Sequence, residues 1–144
     1  MWIWGLAVLL LDLITKETVV RFLQPGDSQP VVEGILHITL VLNPGGAFGL
    51  GARWAPLFIP VAILALGLVL YYGTRFGPQY PGLGRGLALI AGGTAGNLLD
   101  RLRWGQVVDF IDLGFWPVFN VADMALTGGS VLLLWYLWRG GEKP

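Results

Sequence analysis

VVDFIDLGFWPVFNVADMALTGGSVLLLWYLW, Val107–Trp138, decides the fold. From residue 118 onward it is an apolar window close to the ~20 residues needed to cross a ~30 Å hydrocarbon core as a helix. Working outward from it, similar windows fall at about residues 2–23, 55–73 and 86–102. The expected fold is therefore an all-α polytopic membrane protein with four transmembrane helices, built as a single domain over residues 1–144. Aromatic residues mark the window ends, among them Trp2, Trp4, Trp54, Tyr71, Tyr72, Trp104, Trp135 and Trp138, as amphipathic rings do at membrane interfaces.

Composition agrees. The chain has 144 residues, 55% of them hydrophobic and 12% charged, with a mean hydropathy of +0.68. Nine Lys and Arg balance nine Asp and Glu, which leaves no basic field for nucleic acid. There is no cysteine, which removes disulfides, thiolate metal sites and a cysteine nucleophile. His37, the one histidine, sits in the strand-like run ILHITLVL and reads as a structural or surface residue. The first window lacks the basic start and small-residue cleavage site of a signal peptide and carries Asp12, Lys16 and Glu17, so it reads as a retained helix.

Between the first two helices, Pro25, Gly26, Asp27, Ser28 and Pro30 mark a loop. The β-branched run that follows predicts a small β-structured segment over about residues 31–50, resting on the helix ends at the outer surface. An even number of crossings puts both termini on one side. Setting aside Lys16, Arg101 and Arg103 as held by polar motifs, the remaining basic residues favour cytoplasmic termini.

The polar motifs carry the chemistry. An ionised carboxylate costs roughly 2.5 to 3.5 kcal/mol at the centre of a membrane helix, so acids that persist there are functional candidates. Asp12 and Lys16 stand one turn apart, and an intramembrane ion pair is the plain reading. NPGGAFGLG, Asn43–Gly51, reads either as a tight glycine turn or as a site where the Asn43 amide meets a peptide or lipid carbonyl. In GGTAGNLLDR, Gly92 and Gly96 share a face that admits a close neighbouring helix. Asn97 and Arg101 share another, suited to substrate hydrogen bonding and to a lipid ester or phosphate, with Asp100 as an ion-pair partner fixing Arg101.

Asp109 lies in the connection before the fourth helix and Asp123 near that helix's start. If the connection doubles back as a short loop, the two carboxylates meet at the membrane surface, with Asp112 facing solvent. Two such neighbours cannot both ionise easily, so the pair keeps one proton and offers an acid and a base in one site. That is the equipment of an aspartic peptidase. A small transporter or channel subunit, with acids lining a cation path, is the rival reading, and Asp12 fits it.

At these residues the sequence resembles the lipoprotein signal peptidase (signal peptidase II) family. DLITK, NPGGAFG, GGTAGNLLDR, VVDFID and FNVAD occur in the family's order over nearly the whole chain. The resemblance implies a catalytic dyad of Asp109 and Asp123. It implies substrate and lipid contacts from Asn43, Asn97, Arg101 and Asn120, and supporting roles for Asp12, Lys16, Gly45 and Asp100. The implied substrate is a prolipoprotein whose cysteine carries a diacylglyceryl group, cut on the amino side of that cysteine. The implied setting is the bacterial cytoplasmic membrane, with the site near the outer face. Membrane lipid and the lipid-modified substrate are the partners, and a monomer with neither metal nor cofactor suffices. Leu13 departs from a common glutamine, Gly46 from a common alanine, and the stretch from Asp112 to Pro117 is compact.

Overall fold

The computed structural model of the protein describes residues 1–45 and 55–140. Gly46, Arg53, Trp54, Lys143 and the last part of the expected β segment lie outside the described residues. Among the described residues there are four helices: α1 (Ile3–Phe22), α2 (Ala55–Phe76), α3 (Pro81–Trp104) and α4 (Val121–Trp138). α3 is the central helix and packs against the other three.

The helix ends follow local chemistry more closely than hydropathy. α2 runs past residue 73 to Phe76, where the Thr74 hydroxyl is satisfied within the helix by donating to the Leu70 carbonyl at 2.8 Å. α3 begins at Pro81, five residues before its apolar window, since proline at the first helical position lacks only an N–H that would be unpaired anyway. It ends where Gly105 turns left-handed at φ 73 and donates to the Arg101 carbonyl. α4 starts at Val121 rather than 118 because Asn120 is its N-cap, accepting from the Asp123 N–H at 2.8 Å.

A three-stranded antiparallel sheet, order β1-β2-β3, comprises Ser28–Val32, Leu36–Asn43 and Val107–Asp112. β3 corrects the expectation of a loop at VVDFID. Its first four residues are all buried, so the run shows no alternation of polar and apolar positions, and Asp109 masks what is left of the strand signal. In register, Asn43 faces Val107 and Val41 faces Asp109. After β3 the chain turns back at once: Phe110 and Ile111 both donate to the Phe119 carbonyl, and the Phe119 N–H returns to Ile111. This clasp brings Asn120 and α4 beside β3.

The interior is inverted relative to a water-soluble protein. Asp12, Lys16, Asp100 and Asn120 are among the largest fully buried side chains, whereas the most apolar window of α2 contains no buried residue. α2 and α4 are long and apolar enough to cross a membrane. Small residues let the charged helices approach. A Cβ on Gly92 would overlap the Gly5 carbonyl, and one on Gly96 would overlap the Asp12 carboxylate, so both glycines admit α1.

Candidate active site

Asp109 stands in β3 with its carboxylate held on both oxygens. Asn120 Nδ2 donates to Oδ1 at 2.7 Å and Asn43 Nδ2 to Oδ2 at 2.9 Å. The Asn43 amide is oriented by the next turn, where the Gly45 N–H donates to Asn43 Oδ1 at 3.0 Å. The Asn120 amide is oriented by its capping bond, because Oδ1 is taken by the Asp123 N–H and Nδ2 must face Asp109.

Asp123, in the first turn of α4, accepts from Asn97 Nδ2 of α3 at 2.8 Å. Asn97 Oδ1 in turn accepts from Asn120 Nδ2 at 3.1 Å and from Lys16 Nζ at 2.9 Å. The two carboxyls and three asparagines thus form one network, drawn from β2, β3, α3 and the start of α4.

Both carboxyls line a cavity of about 230 Å³ with Asn43, Asn97, Arg101 and Thr127. Burial pushes the Asp109 carboxyl up to about 6, against the pull of the Asn43 hydrogen bond, and the Asp123 charge pushes the same way. Asp112 differs: the Thr39 hydroxyl at 2.7 Å and the Gly114 N–H hold its half-buried carboxyl below the ordinary carboxylate range. Next to the polar cavity lies an apolar one of about 530 Å³, lined by Phe115, Trp116, Met124 and Gly128 and sharing Asp123 and Thr127 with it.

Arg101 reaches the polar cavity, with Nη1 on the Asn97 carbonyl at 3.2 Å and its guanidinium over the Phe58 ring at 5.1 Å. Asp100 is not its fixing partner. Neighbouring helix positions point about 100° apart, and Asp100 turns inward to Lys16 Nζ at 2.8 Å. Lys16 also pairs with Asp12 at 2.7 Å, the expected one-turn ion pair. Asp12 is wholly buried and holds the Ala122 N–H at 2.8 Å, so it does not line an open cation path.

Of the site residues expected from the sequence, Asn43, Asn97, Arg101, Asp109 and Asp123 line this cavity, Asn120, Asp12, Lys16 and Asp100 lie in the polar layer behind it, and Gly45 stands outside both, donating to Asn43. Sequence reading missed Thr127 and Trp116. Thr127 follows Asp123 by one helical turn, which is the signal that could have found it; Trp116 lies in an irregular loop and left no such signal. It also missed the long-range bond from Lys16 to Asn97, which no local spacing encodes.

The profile of the family described as signal peptidase (SPase) II matches residues 5–139. Among curated relatives, the chain is 45% identical over 136 residues to the lipoprotein signal peptidase of Pelotomaculum thermopropionicum, covering 94% of this chain and 90% of that one. It is 46% identical over 133 residues to that of Moorella thermoacetica, covering 92% and 89%. A solved bacterial membrane enzyme superposes with a TM-score of 0.88 at 30% identity, covering 95% of this chain and 86% of the other. On the match of the family profile over most of its length and on these relatives, the chain belongs to the signal peptidase II family.

Proposed function

We propose that the chain is an aspartic endopeptidase of the bacterial cytoplasmic membrane that cuts diacylglyceryl-modified prolipoproteins on the amino side of the lipidated cysteine. One observation carries this reading. Two carboxyls from different elements, Asp109 and Asp123, line a single cavity, and burial keeps a proton on Asp109 up to about pH 6.

The chemistry follows from that shared proton. The ionised carboxyl takes a proton from a water as its oxygen attacks the scissile carbonyl carbon, while the protonated carboxyl donates to the carbonyl oxygen. The tetrahedral intermediate then collapses: one of its hydroxyls returns a proton to the carboxylate that had donated one, the C–N bond breaks, and the proton gained from water passes to the departing amine of the cysteine, which restores the pair with its single proton. Asn43 and Asn120 hold Asp109, and Asn97 holds Asp123, so neither carboxyl must reorganise during the reaction. Arg101 faces the same cavity, where its guanidinium suits a lipid ester oxygen.

The apolar cavity beside Asp123 supports a lipid-bearing substrate, since the scissile bond can enter the polar cavity while apolar groups stay beyond Trp116. The outward faces of the helices support four crossings, and the distribution of basic residues favours cytoplasmic termini. Ile3, Leu6, Leu10 and Ile14 of α1 are exposed to the surroundings, while Asp12 and Lys16 are not. The sheet and both carboxyls would then lie toward the outer leaflet. A monomer suffices, because one chain supplies every group of the network.

The test is reconstitution in vesicles with two substrates, a prolipoprotein bearing the diacylglyceryl group and the same protein without it. The lipidated form is expected to yield a fragment beginning at the modified cysteine, with the unmodified form cut far more slowly. Equal rates on both would remove the lipid from the reading, and no cleavage of either would remove the peptidase.

A further inference from the structure

The reaction above makes no use of Lys16, yet its ammonium is fully buried with three polar partners. They are Asp12 Oδ2 at 2.7 Å, Asp100 Oδ2 at 2.8 Å and Asn97 Oδ1 at 2.9 Å. An ammonium can only donate, so the Asn97 atom facing it must be the oxygen, and Nδ2 is turned to Asp123. A flipped amide would set its NH2 against the ammonium and its oxygen against the carboxylate.

The two acids extend the same control to the backbone. Asp12 holds the N–H of Ala122, and Asp100 holds the N–H of Val108 at 3.1 Å. Those residues immediately precede Asp123 and Asp109. A buried pair for stability alone needs one acid per cation; here one cation serves two acids and an amide, and each partner ends beside a member of the pair.

We propose that Lys16 is a positioning residue for peptide cleavage, aiming both carboxyls by fixing the Asn97 amide and, through Asp12 and Asp100, the backbone before each of them. The inference rests on the dyad reading above. It also gives Lys16 an electrostatic signature. The charged groups facing the pair are Lys16 and Asp12 on α1 and Asp100 and Arg101 on α3. The Lys16 charge favours the ionised form of Asp109, so removing it should move the alkaline limb of kcat/KM to higher pH.

The experiment measures kcat, KM and pH profile for Lys16→Met in vesicles with the lipidated substrate, beside Asp123→Asn and with thermal unfolding of each. Expected for Lys16→Met is a fall in kcat of about 100-fold, the scale of misaligned catalytic groups, with KM within about threefold because Lys16 touches no substrate. Should that variant not fold, the neutral triple Asp12→Asn, Lys16→Met, Asp100→Asn removes all three charges together. It is expected to fold and still to cleave slowly. A folded Lys16→Met with native kcat and a native alkaline limb, or a folded triple variant with native kcat, overturns the proposal, as does loss of fold in both, which makes Lys16 a stability residue. If Asp123→Asn cleaves normally, it is the dyad reading that fails; if it is inactive while Lys16→Met is unimpaired, only the positioning role fails.

Discussion

The carboxylate of Asp12 accepts the backbone N–H of Ala122 at 2.8 Å, joining the first helix to the residue that precedes Asp123 across 110 positions of sequence. The same carboxylate pairs with Lys16. One acid in the polar layer behind the cavity therefore ties the first turn of the last helix to α1. Asp12→Ala should destabilise the protein by about 3 kcal/mol, the low end for breaking a buried pair, because Lys16 keeps Asp100. Thermal unfolding in detergent measures the loss, and an unchanged midpoint would contradict the arrangement.

Gly96 gives that carboxylate its room. Gly96→Ala places a methyl against the Asp12 carboxylate, which must shift from its place beside Lys16 and Ala122 or carry α1 with it, at a cost of about 1 to 3 kcal/mol. Cleavage is expected to fall with stability, whereas Gly128→Ala, with open space around its added methyl, should leave the midpoint unchanged. Equal behaviour of the two variants would refute the close approach.

The pH dependence has a definite sign. In the free protein the Asp109 proton is lost as pH rises through about 6, so kcat/KM should decline above that value. Bound substrate excludes water and disfavours the charged form further, so the alkaline limb of kcat should lie at higher pH than that of kcat/KM. Asn43→Ala deletes a hydrogen bond that holds the Asp109 carboxyl down, and should move the limb of kcat/KM upward. A downward move would show that Asn43 does not act on Asp109.

Asn120 performs two tasks that separate experimentally. Its Oδ1 caps α4 and its Nδ2 holds Asp109. Asn120→Ser retains a capping oxygen but loses the Nδ2 bonds to Asp109, Asn97 and the buried Val108 carbonyl, so stability should fall by about 1 to 3 kcal/mol while kcat falls steeply. Native kcat in the folded variant would show that Nδ2 does not hold Asp109.

Much of this was legible in the sequence because membranes simplify the code. Apolar runs of fixed length gave the four helices, and acids beside them stood out at once. What escaped was set by partners far away in the chain. Asp100 and Arg101 are neighbours in sequence and looked like an ion pair, but the helix turns Asp100 toward Lys16 on another element. VVDFID looked like a loop because a strand buried along its first four positions shows no alternation. The start of α3 was missed for a different reason: Gly82, Gly84 and Gly86 lower hydropathy, although Gly84 and Gly86 are buried in the helix interfaces.

The most direct test of the two-carboxyl mechanism replaces each acid by its amide. Asp109→Asn and Asp123→Asn remove the titrating proton while keeping size, and cleavage of the lipidated substrate is followed by the fragment's change in mass. Both variants should fold and neither should produce the fragment. Native turnover by either one would show that the reaction does not run through this pair.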